Sequence, residues 1–297
     1  MASLTLWNKN EEYKFFKKTL EIASPEQLFY ITEDGKYVAY WPKGYRGKKS
    51  TLQSRNSFIG SYTEKWVKEL LQPVAEELGT YVMQDVVCEE IGLNKTSPAD
   101  VAIVKTPERL QKPENILLIV EVKMSIVWNW EYIPETHEIK CIGDYKTHQG
   151  NPGLLRSDTM LKAIGKSINI RVSGFKASGI PIIIIGNTPI TKTYYKKVDF
   201  LKKSGVIQGF YSVNPKPLDT ENHSNNIKRT PEGGFLRIDN PKELYDNLVV
   251  LLKSNMEFFS SMISKIELGK IVEKANREDS YEKKAEKFLK LLRGTKS

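Results

Sequence analysis

Two strand-like stretches decide how this chain folds: SPADVAIVK, residues 97–105, and NILLIVEVKMSIVW, residues 115–128. Between them PERLQKPE (107–114) is polar and proline-marked, the composition of a hairpin loop. Counted outward from that loop, Asp100 lies five residues before Lys105 and Glu121 six after Asn115. In an antiparallel pair both strands rise ~3.4 Å per residue, so the two carboxylates reach the same end of the sheet, roughly opposite each other. Side chains alternate along a strand. Glu121 and Lys123 therefore point to one face, and Val120, Val122 and Met124 to the other.

Charged residues on strands usually mark a solvated face. Here the context argues otherwise. Ile116 to Val120 is apolar on both faces, the pattern of a central strand, and Leu117 and Ile119 share the Glu121 face. That face is buried before it becomes charged. Asp100 likewise precedes an unbroken apolar run from Val101 to Val104. Two carboxylates and an ammonium converging at one sheet edge suit a divalent cation and an activated water.

Upstream, SRNSFIGSYTEKWVKELLQPVAEELG (54–79) reads as a helix, with Ser57 or a neighbour as cap and Gly79 as stop. Its buried stripe runs Val67, Leu71, Val74, Leu78, and three residues before Val67 stands Glu64. A carboxylate thus sits at the interior edge of an amphipathic helix, where an unpaired charge is costly and a nearby cation relieves it. A surface glutamate at the helix rim is the competing reading. Pro73 predicts a kink or restart.

The order of elements then reads helix, three strands, helix (RSDTMLKAIGKSINI, 156–170) and an apolar strand, IPIIIIG (180–186). With Glu64 on the first helix, Pro98-Ala99-Asp100 opening one strand and Glu121-Val122-Lys123 on the next, residues 57–187 resemble the PD-(D/E)xK nuclease superfamily, particularly its type II restriction endonucleases. The sequence departs from the family pattern in placing Ala99 between the proline and the aspartate. The resemblance implies an α/β fold, a restriction-endonuclease-like αβββαβ core with a mixed central sheet flanked by helices, followed by a helical C-terminal region. It implies Mg²⁺ held by Asp100 and Glu121, Lys123 orienting the nucleophile or stabilising charge on the phosphate, and Glu64 binding a second metal or fixing Lys123. It further implies cleavage of double-stranded DNA to 5′-phosphate and 3′-hydroxyl ends by a homodimer. A repair or structure-selective nuclease, and a DNA-binding protein that no longer cleaves, are the alternatives.

Composition fits a nucleic-acid partner without requiring one. The chain has 297 residues, 40% hydrophobic, with formal net charge +9. Lys43, Arg46, Lys48, Lys49 and Arg55 cluster before the Glu64 helix, interleaved with Tyr and Trp, as suits a phosphate backbone. Lys162 and Lys166 lie four apart on the second helix, outside its expected buried stripe of Leu161, Ile164 and Ile168, and are read as further DNA contacts. Residues 1–56 are expected to be an N-terminal segment with a hairpin turning at Asp34-Gly35-Lys36 and a basic loop, 57–210 the catalytic core, and 211–297 a polar loop and helices packed on it. Trp128 and Trp130, in the loop after Glu121, are read either as core or as groups stacking on the substrate. Cys88 and Cys141 offer no disulfide framework and suit a cytoplasmic protein. The histidines lack zinc spacing, no GxxxxGK[ST] loop occurs, and no stretch is long enough to span a membrane.

Overall fold

The computed structural model describes residues 5–219, 227–253 and 265–294. An N-terminal helix α1 (Lys9–Thr19) and a single turn α2 (Pro25–Leu28) precede a small hairpin, β1 (Tyr30–Ile31) and β2 (Tyr37–Val38). The long helix α3 (Gln53–Glu77) leads into β3 (Tyr81–Val86), β4 (Ala99–Val104) and β5 (Ile116–Val122). A second hairpin, β6 (Asn129–Ile133) and β7 (Glu138–Gly143), comes next, then α4 (Ser157–Ser173) and β8 (Ile182–Gly186). The chain finishes with α5 (Tyr195–Lys203), β9 (Gly209–Ser212), β10 (Phe235–Arg237), α6 (Pro241–Lys253), α7 (Lys265–Asn276) and α8 (Tyr281–Gly294).

The expected succession of helix, three strands, helix and strand is present as α3, β3, β4, β5, α4 and β8, with one addition. The aromatic stretch after β5 is not a plain loop. It forms β6–β7, which join β1–β2 in a separate four-stranded sheet ordered β1-β2-β6-β7. The main sheet has six strands in the order β10-β9-β8-β5-β4-β3. β3, β4 and β5 pair antiparallel, whereas β5, β8, β9 and β10 pair parallel. The fold is therefore α/β with a mixed sheet flanked by helices. β5 stands where antiparallel pairing gives way to parallel, and its carboxyl end is the kind of sheet edge at which open α/β folds place ligands.

Local chemistry explains the elements. α3 buries Val67, Leu71 and Val74 as its periodicity requires, stays continuous through Pro73 and ends before Gly79, whose φ of +62° suits glycine. Gly35 at φ +80° turns the β1–β2 hairpin. Val120, Val122 and Met124 of the β5 segment face a large core shared with α1, α3 and α6, through Phe15, Val67 and Leu248 among others. Ile119 faces the opposite layer with Ala102, Val104 and Ile170 of α4. Leu117 departs from the expected face. The β4–β5 register shifts between Ile103 and Val104, and the extra residue of this bulge is Leu117, which packs toward the larger core instead.

The second helix also differs from its sequence reading. α4 buries Met160, Ala163, Ser167, Ile170 and Arg171, while Leu161 is 59% and Ile168 44% exposed. Small side chains let the helix lie close to the sheet, so the buried face is rotated away from the larger aliphatics. Of the two readings of Trp128 and Trp130 the structure supports the core one: they are 1% and 4% exposed. Cys88 and Cys141 are both free thiols. Leu244, Leu248 and Leu251 of α6 pack into the main core, and α7 and α8 pack on each other. The sequence also places Phe258, Phe259 and Met262 on the apolar face of the C-terminal helical region; they lie outside the described residues. Among the described residues no helix is long and apolar enough to cross a membrane.

Candidate functional site

The β4–β5 ladder pairs Val101 with Val120, so the next step along the same register sets Asp100 beside Glu121. Both carboxylates lie on the α4 face of the sheet. Asp100 is fixed by the neighbouring strand: its Oδ2 accepts the backbone N–H of Val122 at 2.8 Å. Lys123, one residue past the end of β5, folds back over this edge. Its Nζ reaches Asp100 Oδ2 and Glu121 Oε2, each at 3.1 Å, and donates to the Val122 carbonyl at 3.1 Å.

A second ammonium completes the group. Lys166 of α4 places Nζ 3.1 Å from Asp100 Oδ1 and 2.5 Å from Glu121 Oε1, and donates to the Pro98 carbonyl at 2.6 Å. The four side chains form a closed ring in which carboxylates and ammoniums alternate. Glu121 is fully buried, Asp100 is 16% exposed and the lysines 20–21%. Glu121 Oε1 lies near the Lys166 charge, yet it has no hydrogen bond of proper geometry.

Electrostatics divide this ring unequally. Burial works to raise the Asp100 carboxyl, but Lys123 and Lys166, with the Val122 N–H, outweigh it and hold the group below the ordinary range. Glu121 is pushed up, first by burial and then by the neighbouring Asp100 charge. Burial would lower the Lys123 ammonium, but Asp100 and Glu121 keep it above its usual value. Glu64 approaches from α3, half-buried. Burial, then the charges of Asp100 and Asp85, push its carboxyl up to about 7. Glu64 thus belongs to the same electrostatic neighbourhood, as expected from its place on the helix.

Asp85 carries no sequence signal. It stands between the Gln84–Val101 and Val86–Ala99 pairs, beside Asp100, with φ of +52°. Aspartate tolerates this left-handed conformation better than most residues, and such backbone specials gather at functional edges.

The donor set suits a hard divalent cation. All the groups are oxygens: two carboxylates and the Val122 carbonyl that now receives Lys123. Among the described residues no three His, Cys, Asp or Glu side chains gather tightly enough to form a cage. Mg²⁺ commonly uses only one or two carboxylates and keeps several waters, so Asp100 and Glu121 fit it better than they fit zinc.

Next to the ring opens a cleft of about 670 Å³. Its lining includes Lys49, Arg55, Lys123, Arg156 and Lys162, with Asn56, Gln149 and Asn151, and no acidic residue. The wall is basic and acid-free and ends at Lys123; with Lys123 balanced by Asp100 and Glu121, Arg156 paired with Asp158 and Arg55 buried, its exposed positive charge rests on Lys49 and Lys162. Gln149 holds one rim: its amide donates to the carbonyls of Pro42 and Tyr45 at 3.1 and 2.8 Å and accepts from Lys49 Nζ at 2.5 Å. The basic loop is thereby anchored over the cleft, with Lys43, Arg46, Lys48 and Lys49 exposed.

Two of the expected DNA contacts occupy other places. Arg55 is buried, 4% exposed, donating to the Leu28 and Ala39 carbonyls and lying over the rings of Tyr30 and Tyr40 at 4.8 and 5.2 Å. It stitches the N-terminal hairpin to α3. Lys166 sits on the carboxylates rather than on the outer face of α4. Lys162 is exposed and does line the cleft. Asn56 and Arg156 join the site without having stood out in the chain, whereas Gln149 and Asn151 lie in the stretch between Glu121 and α4 whose amide and aromatic side chains suit base edges and sugars. No protein-family model, no curated protein and no solved structure matches this chain.

Proposed function

We propose that the chain is a Mg²⁺-dependent DNA endonuclease of PD-(D/E)xK type, with a restriction-endonuclease-like core, acting as a type II restriction enzyme. One observation carries the reading: Asp100, Glu121 and Lys123 converge at one sheet edge, at the end of a cleft lined by cations and no acids. An acid-free cationic cleft favours a polyanion, and the carboxylate pair beside it is the feature a merely basic binding surface would lack.

Asp100 and Glu121 would hold the metal. Once bound, the metal supplies a Lewis acid for the phosphate and lowers the pKa of a coordinated water. The remaining work belongs to the chain. The Val122 N–H keeps the Asp100 carboxylate aimed at the sheet edge. Lys123, held close to both carboxylates, offers a fixed positive charge to an oxygen that becomes more negative as the phosphodiester is attacked. Glu64, with its carboxyl at about 7, can take or release a proton close to neutrality. Lys49 and Lys162 along the cleft would hold the backbone phosphates in register, and Arg156 would join them on exchanging Asp158 for a phosphate. Cutting both strands of a duplex with one such site per chain calls for a two-fold dimer.

Incubation of plasmid DNA with the protein and Mg²⁺ tests this reading. Discrete fragments with 5′-phosphate ends support it. Preference for branched or damaged DNA moves the chain to a structure-selective or repair nuclease. Binding without cleavage makes it a DNA-binding protein with a nuclease-like site. Sedimentation on DNA tests the dimer.

A further inference from the structure

The ring of four charges poses a problem of occupancy. Asp100 and Glu121 are the two groups suited to a cation, yet each already touches two ammoniums, from Lys123 on one pair of oxygens and Lys166 on the other. The two lysines differ in attachment. Lys123 belongs to the strand end itself and also donates to the Val122 carbonyl next to it. Lys166 reaches in from α4, one helix turn from Lys162, which lines the cleft, and its carbonyl partner, Pro98 at 2.6 Å, lies just before β4 rather than on its own helix. Its side chain is a flexible four-carbon stem, partly exposed; leaving the ring breaks its bond to the Pro98 carbonyl and its two ion pairs, but no helix or strand hydrogen bond. The charge balance is equally pointed. Two carboxylates and two ammoniums sum to neutral, so a divalent cation added to the intact ring leaves three like-charged centres within contact distance of one another. In a site this buried that repulsion is large.

Resting on the nuclease reading above, we infer that Lys166 is a gate: its ammonium holds the cation's place between Asp100 and Glu121, and a phosphate of the bound polynucleotide draws it off. Metal and polyanion then bind cooperatively, because each removes an obstacle to the other. By linkage, the factor by which DNA tightens metal equals the factor by which metal tightens DNA. The gate would suit a nuclease, since the complete metal site assembles only where a phosphate is already seated.

The test is calorimetric and needs no turnover. Ca²⁺ is titrated into wild-type protein, Lys166→Met and Lys65→Met, each with and without a short mixed-sequence DNA duplex. Wild type is expected to bind Ca²⁺ weakly alone and on the order of tenfold more tightly with duplex present. Lys166→Met should bind Ca²⁺ on the order of tenfold more tightly without DNA, and the gain from duplex should shrink. Lys65→Met, which removes an exposed α3 charge beside Glu64 in sequence, should bind Ca²⁺ alone as wild type does. Equal tightening by both substitutions would reduce the effect to general electrostatics and overturn the gate. So would Ca²⁺ binding by wild type that duplex leaves unchanged, a measurement that stands even should Lys166→Met fail to fold. If Ca²⁺ binds no variant under any condition, the metal reading of Asp100 and Glu121 falls, and the gate with it. If Ca²⁺ binds but uncoupled from DNA, only the gate falls.

Discussion

Asp100 on β4 accepts the backbone N–H of Val122 on β5 at 2.8 Å, so one candidate metal ligand also closes the end of the strand ladder. An alanine there would remove a charge and a structural acceptor together. Asparagine keeps an acceptor for Val122. Asp100→Asn and Glu121→Gln should each lower DNA cleavage about a thousandfold or more, as expected when electrostatic support for the reaction is removed. Affinity for DNA in Ca²⁺ should change far less, because most of the interface lies along the cleft. Glu64→Gln should be the mildest of the three. Cleavage at the wild-type rate by both Asp100→Asn and Glu121→Gln would show that the site is wrongly identified.

The exposed loop lysines and arginine predict a salt effect. Replacing Arg46, Lys48 and Lys49 together by alanine should weaken binding to all DNA sequences alike. It should flatten the log–log salt dependence by about one unit for each phosphate interaction removed. A slope identical to that of wild type would remove this loop from the interface.

Arg55 predicts the opposite phenotype. Its guanidinium bridges the Leu28 and Ala39 carbonyls inside the fold, so Arg55→Lys, which cannot span both, should cost about 2–4 kcal/mol in urea unfolding. Lys49→Ala, on the exposed rim, should cost almost nothing. If the two variants unfold at the same urea concentration, the buried bridge has no structural weight.

Glu12 supplies a pH dependence. It is fully buried on α1 and accepts the backbone N–H groups of Val127 and Trp128 at 2.8 and 2.9 Å and the Trp130 indole N–H at 2.8 Å. Burial pushes its carboxyl from 4.5 up to about 7, against those hydrogen bonds. The folded chain therefore binds a proton there more readily than the unfolded chain does. Its contribution is fully present below pH 4.5 and is lost as pH rises through 7. The expected loss is on the order of 3 kcal/mol across that window. Urea unfolding at pH 5 and pH 8 measures it, and the stability advantage of wild type over Glu12→Gln should shrink at the higher pH. A pH-independent difference would contradict the assignment.

The carboxylate pair and its partner lysine are legible in the chain because strand alternation and loop counting depend only on backbone geometry. The order of core elements follows from the same periodicities. Lys166 escapes such reading for a definite reason. Hydropathy gives most weight to Leu161 and Ile168, whereas close packing on the sheet selects Ala163 and Ser167, and that rotation carries Lys166 inward. Arg55 escapes because a buried arginine looks like a surface one until its carbonyl partners, distant in sequence, are known. The β6–β7 hairpin is hidden by its aromatic and amide content. Its strands pair mainly with each other and only β6 reaches β2, so the second sheet rests on a partner about 90 residues away that local pattern does not reveal.

The Glu12 cluster also sets an order of events during synthesis. The hydrogen bond from Val127 to Glu12 joins residues 115 positions apart, and the Trp130 bond spans 118. When α1 leaves the ribosome its carboxylate has none of these partners, and it acquires them only after the whole β3–β5 meander has been made. Closing so long a loop reduces chain entropy before any interaction offsets it, so docking of α1 is expected to be a late and slow step of folding. The segment that continues directly from Lys123 is thereby locked last, and the sheet edge bearing Asp100 and Glu121 would reach its final shape only once the N-terminal helix has docked.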